Sequence, residues 1–341
     1  MRVFQLPIPS KEISNVVKST NLYSKPLHTI GYNYFEVQTN DTIFKLLLAP
    51  ENVGKKFYYI MENLTSDISY DKNINTISEK YFGESVNNNF LQLWEILLKF
   101  NLISNFSKVS TNDDTLRLVF EKLKKYTKVD VSNSKKTTHL CLLNDISFDT
   151  IELDTSKKIT KFLNDLESLE KGGCIIIKVK ELIHAPSIHL LYLLSNIFDQ
   201  VYIYRPELSY ISRGEKYIVC KNYKDPKNLK YELSHDYLTL DMNLPTDYIF
   251  TVNIINRILM QEEYIIRNKM RNFINSQNYF GDEYHSQLAL QQINSDNWIA
   301  NNLVLSSKDY DELKKIKEKE LNKSLGLFES LIEEKTKLTI L

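Results

Sequence analysis

The stretch from Gly172 to Asn222 constrains the fold of this chain more than any other part of the sequence. It holds three short apolar runs, bounded by glycine or charge, which are typical of strands buried on both faces. Between the first two runs, apolar residues recur at helical spacing from Ile188 to Phe198, which predicts a crossover helix. Strand, helix and strand make a βαβ unit. The third run follows a loop that is too short for a crossover, so it should pair antiparallel.

The same spacing, extended upstream, predicts one sheet with helices on its faces. We expect strands near residues 139–144, 173–179, 200–205 and 216–221, and helices near residues 156–169 and 187–198. Gly172 and Gly173 are expected to end the first of these helices.

Several spaced features of this stretch occur together. A double glycine precedes a strand that carries Lys178 near its end, a Val-Tyr-Ile-Tyr-Arg-Pro strand follows, and Glu215 opens the sequence Glu-Lys-Tyr-Ile-Val-Cys-Lys. In this combination, over residues 139–222, the chain resembles the FtsJ-like RNA 2′-O-methyltransferases, above all the cap-specific members of cells and large DNA viruses. The resemblance implies an α/β protein with a Rossmann-like class I methyltransferase fold, whose mostly parallel sheet ends in an antiparallel hairpin.

The chain divides by composition and pattern into three segments. We expect an N-terminal extension at 1–75, a methyltransferase-like domain at 76–225 and a helical C-terminal region at 226–341. In the extension, Tyr32–Gln38 and Ile43–Leu48 flank a turn sequence and predict a β-hairpin. This hairpin belongs either to a small sheet packed on the main domain or to a surface that docks a partner. Helices are also predicted near residues 90–101, 116–126, 247–276 and 309–337.

Charge gives no general attraction to nucleic acid or membrane. The sequence has 43 basic and 43 acidic residues, so any nucleic-acid site must be a local patch. The basic segments at 117–128 and 267–271 are either solvated faces or RNA contacts.

Cysteine usage and apolar runs indicate the compartment. Cys141, Cys174 and Cys220 lie singly in or beside expected strands, which argues against a disulfide framework or a zinc site. The first residues lack the apolar core of a signal peptide, and no apolar run is long enough to span a bilayer. We therefore expect a cytoplasmic protein in a reducing environment, without membrane contact.

The resemblance also implies a catalytic site. In the resembled enzymes a Lys-Asp-Lys-Glu tetrad takes or steers the proton of the ribose 2′-hydroxyl. Asp145, Lys178 and Glu215 correspond to three of its members by position, and Gln92 occupies the place of the central lysine. An amide cannot accept that proton at neutral pH. Each of the three also has a plain structural interpretation. Asp145 can cap a turn, Lys178 can extend from a strand end to solvent, and Glu215 can be a charge at the edge of a hairpin.

The cofactor turn departs from the resembled pattern. S-adenosylmethionine needs a glycine-rich turn after the first strand, where its carboxylate and ribose approach bare backbone. Asn112, Asp113 and Asp114 stand there instead, and the sequence has no glycine between Gly83 and Gly172. Two acidic side chains would also repel the methionine carboxylate. The segment before His139, moreover, is too short for two further strands. We expect no cofactor, and S-adenosylmethionine only if the protein is active.

Two functions follow from the resemblance. The favoured hypothesis is a degenerate, non-catalytic subunit that binds or regulates in mRNA capping or transcription, with a protein of that machinery as partner and capped RNA as a second candidate ligand. Ser24–His28 and Tyr32–Phe35 resemble the small stimulatory subunit of poxvirus-type capping enzymes, which has a methyltransferase-like fold without a working cofactor site. The alternative is an active mRNA cap 2′-O-methyltransferase.

Overall fold

The structure is a computed structural model that describes most of the chain in fifteen ranges and single positions. These are residues 3–9, 13–21, 68, 77–102, 106–111, 114–125, 130–132, 137–146, 155–179, 182, 185–226, 229–233, 238–276, 281–303 and 307–340. The predicted hairpin at 32–48 lies outside the described residues.

The described chain forms an α/β protein around one seven-stranded sheet. Its strands lie in the order β1, β7, β8, β6, β5, β3, β4. They are β1 (Val3–Gln5), β3 (Phe106–Thr111), β4 (Asp130–Ser132), β5 (Thr137–Ile146), β6 (Leu169–Val179), β7 (Phe198–Tyr204) and β8 (Lys216–Tyr223). A second sheet joins β2 (Val16–Asn21) to β9 (Lys230–Glu232) and β10 (Leu238–Leu240).

The longer helices cover both faces of the main sheet. They are α1 (Asn88–Lys99), α2 (Thr115–Leu123), α3 (Thr155–Glu167), α4 (Ala185–Ile197), α5 (Thr246–Ser276), α6 (Asp282–Asn302) and α7 (Ser307–Ile340). The first helix, α1, is capped by Asn87, whose side chain accepts a hydrogen bond from the backbone N–H of Phe90 at 2.8 Å.

The pairing of the strands makes the main sheet mixed, so the expectation of a mostly parallel sheet is not confirmed. Pairings β3–β4, β3–β5 and β5–β6 are parallel, whereas β6–β8, β7–β8 and β1–β7 are antiparallel. The four strands predicted downstream of His139 are confirmed, and β8 runs antiparallel between β6 and β7, as predicted. The two predicted helices are confirmed as α3 and α4. Between α2 and β5, where the sequence predicted no room for two strands, one short strand, β4, is present.

The prediction that Gly172 and Gly173 end a helix is wrong, because α3 already ends at Glu167 and both glycines lie inside β6. In the β5–β6 register, Thr137 pairs with Leu169 but His139 pairs with Cys174, so β6 carries extra residues as a bulge. Gly172 has φ +79°, and a Cβ on Gly173 would lie 2.7 Å from the carbonyl oxygen of Glu170. Glycine is thus required by the bulge and not by a helix end.

Two hydrophobic cores form, one on each face of the sheet. One face packs against α1 and α2, with Trp94 and Phe120 fully or almost fully buried, and it also contains Trp298 of α6. The other face packs against α3, α4 and α5. Alternate residues of β6 divide between the cores, Ile176 facing the first and Ile177 the second. Each such buried large side chain stabilises the fold by about 1.5–3 kcal/mol.

Elements from the two ends of the described chain meet at one edge of the sheet. Strand β1 pairs with β7, and the ring of Phe4 packs edge-on against Phe328 of α7 with ring centroids 5.3 Å apart. The helix α7 therefore covers an edge strand that would otherwise be exposed.

Candidate functional site

The predicted site residues gather where β5 and β6 end and β8 begins. Lys178 of β6 lies opposite Tyr217 of β8, and Val179 lies opposite both Ile146 of β5 and Lys216 of β8. Asp145 therefore lies at the same sheet edge as Lys178 and Glu215, although its side chain is outside what the structure describes. The carboxyl ends of parallel strands are where open α/β sheets bind ligands.

Lys178 and Glu215 form a buried ion pair. The ammonium of Lys178 lies 3.2 Å from a carboxylate oxygen of Glu215, and the two residues are 7% and 5% exposed. The same ammonium donates a hydrogen bond to Oδ1 of Asn89 on α1 at 3.1 Å. The second carboxylate oxygen of Glu215 accepts from the backbone N–H of Tyr210 at 3.3 Å. Lysine and glutamate are thus brought together as the resemblance implies, while their catalytic roles stay predictions.

Gln92 is a structural amide in this arrangement. It is fully buried, its Nε2 donates to the carbonyl of Leu208 at 3.1 Å, and its Oε1 accepts from the hydroxyl of Tyr217. Both ends of the amide are therefore occupied by the protein itself. The α1 residue that contacts Lys178 is Asn89, about one turn before Gln92.

The loop between β7 and β8 is held by a carboxylate that sequence reasoning missed. Glu95 of α1 accepts hydrogen bonds from the hydroxyl of Tyr204, the backbone N–H of Glu207 at 3.0 Å and the indole N–H of Trp298 at 2.8 Å. Burial raises the pKa of Glu95, and the charge of Glu207 adds to this, whereas the hydrogen bonds from Tyr204, Trp298 and the Glu207 backbone oppose it. A glutamate inside an apolar helix was the only sequence signal.

A second buried ionic cluster fixes the same loop from the side of α5. The guanidinium of Arg205, which is 0% exposed, donates to Glu262 at 2.7 Å and to Glu263 at 2.8 Å. Glu263 also lies 3.7 Å from the ammonium of Lys216, which donates to the carbonyl of Gly214 at 2.8 Å. Helix α5 thereby positions the residues on either side of Glu215.

The opposite end of the site, at the start of α2, is open. Asp114 precedes α2 with a side chain that is 88% exposed, and its carboxylate accepts from Arg117 at 3.0 Å. Together with Ser85, Asn87 and Glu121, among others, they line a cleft of about 660 Å³ between the beginnings of α1 and α2. Asn112 and Asp113 lie outside the described residues. Because the charged side chain of Asp114 precedes α2 where a cofactor turn needs bare glycine, Asp114 does not fit S-adenosylmethionine as the resembled enzymes hold it.

Three cations of the basic segments are paired where their side chains are described. Arg117 pairs with Asp114, and Lys122 pairs with Glu84. Lys269, in the second segment, donates to Oε1 of Gln287 at 2.6 Å. Lys124 and Lys125 of the first segment are exposed, so both interpretations, solvated faces and RNA contacts, stay predictions.

The described cysteines are core residues, as predicted. Cys174 and Cys220 are buried and free, and burial raises the pKa of both thiols. In the described part of the chain, histidine, cysteine and acidic side chains form no group of three that could hold a metal ion. Nor does any helix described there have the length and apolar character needed to cross a membrane.

Comparison with known proteins gives partial similarity to methyltransferases. No protein-family model matches the sequence. The chain is 25% identical over 262 residues to an uncharacterized protein of Acanthamoeba polyphaga mimivirus, which covers 69% of this chain and 75% of that protein. It is 34% identical over 117 residues to the cap-specific mRNA (nucleoside-2′-O-)-methyltransferase 2 of Drosophila melanogaster, covering 32% of this chain and 16% of the enzyme. Over 71 residues it is 39% identical to a probable methyltransferase of African swine fever virus, covering 21% and 17%.

These matches define the class of protein to which the chain is similar. Part of the chain is methyltransferase-like, and it is similar both to cap-specific mRNA 2′-O-methyltransferases and to a viral probable methyltransferase. The matched lengths are a small share of those methyltransferases, while the match to the uncharacterized mimivirus protein extends over 262 residues.

Proposed function

We propose that this chain is a non-catalytic, methyltransferase-like protein on a Rossmann-like class I fold, and that it binds or regulates a component of mRNA capping or transcription. The observation that carries the proposal is the contact of Lys178 with Asn89. In the resembled enzymes a second lysine stands beside this amine.

Without a second amine, one chemical requirement of methyl transfer is not met. A ribose hydroxyl needs a general base or a charge that steers its proton, and such a group contributes typically about 10²–10⁴-fold to the rate. The amides of Asn89 and Gln92 neither accept that proton nor supply a positive charge. Among the described contacts of the Lys178–Glu215 pair, none comes from a second lysine.

The open end of the site supports the same function. Cofactor binding requires close backbone approach at the start of α2, and the side chains of Asp114 and Arg117 stand there. The two defects are independent, because one lies on α1 and the other precedes α2. Correction of only one of them should not create activity.

Isothermal titration with S-adenosylmethionine, followed by a methylation assay on capped RNA, tests this proposal. We expect neither binding heat nor methyl transfer from the purified chain, nor from the variants Asn89→Lys and Gln92→Lys. Turnover by the wild-type chain that disappears in Lys178→Ala would overturn the proposal.

An active cap 2′-O-methyltransferase is the second candidate, and one observation favours it. Asp145, Lys178 and Glu215 share one sheet edge, and the lysine and glutamate are paired at 3.2 Å. The same titration distinguishes the two candidates, because an active enzyme must bind its methyl donor.

The non-catalytic function also requires a partner. We expect a pull-down from native extract to recover a protein of the capping or transcription machinery, with capped RNA as a second ligand to test by titration. If the chain is recovered alone and monomeric, the proposal of a subunit fails.

A further inference from the structure

One buried carboxylate joins three parts of the molecule. Glu95 is 2% exposed, and its Oε1 accepts from Tyr204 at the end of β7 and from the backbone N–H of Glu207 in the loop that follows. Its Oε2 accepts the indole N–H of Trp298 on α6 at 2.8 Å. A buried charge requires such partners, so the positions of the strand end, the loop and the helix are linked through Glu95.

The loop bound by Glu95 leads directly to the candidate site. The carbonyl of Leu208 accepts from Asn88 at 3.1 Å and also from Gln92, and the N–H of Tyr210 donates to Glu215. A shift at Glu207 would therefore be passed along a short bonded segment to the carboxylate that pairs with Lys178.

Helix α6 has few apolar anchors for this attachment. Its fully buried residues are one large apolar side chain, Trp298, and four polar residues, and Ile299 also packs against the core as a partly buried side chain. These polar residues are Gln287, Gln291, Ser295 and Asn302. Because polar side chains contribute little hydrophobic stabilisation, the apolar attachment of α6 depends mainly on Trp298 and Ile299, and the indole bond of Trp298 to Glu95 adds to it.

We infer that α6 controls the conformation of the loop between β7 and β8 through the hydrogen bonds that join Trp298 to Glu95 and Glu95 to Glu207. Trp298 and Glu95 act as positioning residues. Under this inference, displacement of α6 by a bound partner withdraws the indole N–H from Glu95 and weakens the hold of Glu95 on Glu207, while the contacts of the loop with α5 remain. The regulatory meaning rests on the proposed function, but the coupling itself does not.

The chain offers a matched control for this coupling. Trp94 of α1 donates its indole N–H to the carbonyl of Asn302 on α6 at 2.8 Å. The two tryptophans therefore join the same two helices with bonds of equal length, and only Trp298 reaches Glu95. The variants Trp298→Phe and Trp94→Phe each remove one N–H and keep an aromatic ring.

Hydrogen–deuterium exchange on the full chain tests the inference without partner, RNA or cofactor. We expect Trp298→Phe to speed exchange at the amides of Glu207 and Tyr210 by about tenfold, with β6 and β8 unchanged, since a hydrogen bond to a charged group is lost. Trp94→Phe should change these loop amides by less than about twofold. Equal acceleration in both variants, or none in Trp298→Phe, would overturn the inference.

A second variant keeps the test decisive if Trp298→Phe does not fold. Glu95→Gln preserves shape but has one acceptor oxygen instead of two, so it should accelerate exchange at Glu207 and in α6 around Trp298. If the loop amides stay at the wild-type rate in Glu95→Gln, the proposed path is wrong, whatever the outcome of cofactor titration or pull-down.

Discussion

The two ends of the candidate site are built in opposite ways. At the end of β6, Lys178 and Glu215 are buried and paired with each other. Lys178 is also bonded to Asn89, and Glu215 to the backbone N–H of Tyr210. At the start of α2, Asp114 is 88% exposed beside an open cleft, with Arg117 39% exposed. One end is a closed polar network, and the other is a solvated ion pair.

This difference shows that the fold depends on the closed end of the site and much less on the open end. The closed end is held by α1, α5 and the β7–β8 loop, and none of its bonds requires a ligand. Buried ion pairs of this kind fix geometry, since loss of one partner leaves an uncompensated charge. The open end has no such constraint, so its sequence can change with little effect on the fold.

The largest expected effect is at Arg205. The variant Arg205→Met leaves Glu262 and Glu263 without their shared cation and should lower the free energy of unfolding by about 3–5 kcal/mol. Urea denaturation measures this loss. Arg117→Met at the open end is the matched control, with a loss of about 1 kcal/mol or less. Similar losses in the two variants would remove the contrast between the ends.

A pH dependence is expected from His139, which lies near the start of β5, opposite Val109 of β3 and Cys174 of β6. Burial lowers the pKa of His139 to about 4 from 6.5, although the hydrogen bond to the carbonyl of Leu102 opposes this. The unfolded chain therefore takes up this proton at higher pH than the folded one. Stability should be full above pH 6.5 and should fall towards pH 4, by up to about 3 kcal/mol.

Urea denaturation at a series of pH values checks the contribution of His139. His139→Gln should flatten the slope between pH 6.5 and 4 relative to the wild-type chain. An unchanged slope in His139→Gln would show that other groups cause the acid sensitivity.

A smaller loss is expected at the ion pair of the closed end. Lys178→Met should lower stability by about 2 kcal/mol, less than at Arg205, because Glu215 keeps the N–H of Tyr210. The double variant Lys178→Met with Glu215→Gln should recover part of this loss, since no unpaired charge remains. Additive losses in a double-mutant cycle would mean that the pair contributes nothing specific.

The smallest effect is expected at Asp114. Its side chain is exposed and makes no capping hydrogen bond to α2, so Asp114→Ala should change the free energy of unfolding by about 0.5 kcal/mol or less. A larger loss in urea denaturation would show that the open end is also part of the structural network.

Apolar runs made the sheet predictable, because continuous runs bounded by glycine or charge occur where both faces are covered. Gly172 and Gly173 were misassigned since a bulge and a helix end both require glycine, and only the register of β6 against β5 distinguishes them. The position of Lys178 at the sheet edge followed from the strand, but its contact with Asn89 depends on the rotation of α1, which the sequence does not define.

The remaining site residues depend on contacts between distant parts of the chain. Glu95 stands among apolar residues of α1, and its partner Trp298 is about 200 residues away on a helix whose buried face is mostly polar. A prediction from hydrophobic periodicity would place this polar face of α6 on the surface of the protein. Patterns within one segment cannot show a polar interface between two helices.

The pairing of β1 with β7 has a consequence for synthesis on the ribosome. Val3 pairs with Tyr204, which at about 5–20 residues per second is made roughly 10–40 s later. During that interval β1 lacks β7, and the edge-on contact of Phe4 with Phe328 of α7 forms later still. A nascent chain must therefore shield an unpaired strand until β7 has emerged from the ribosome.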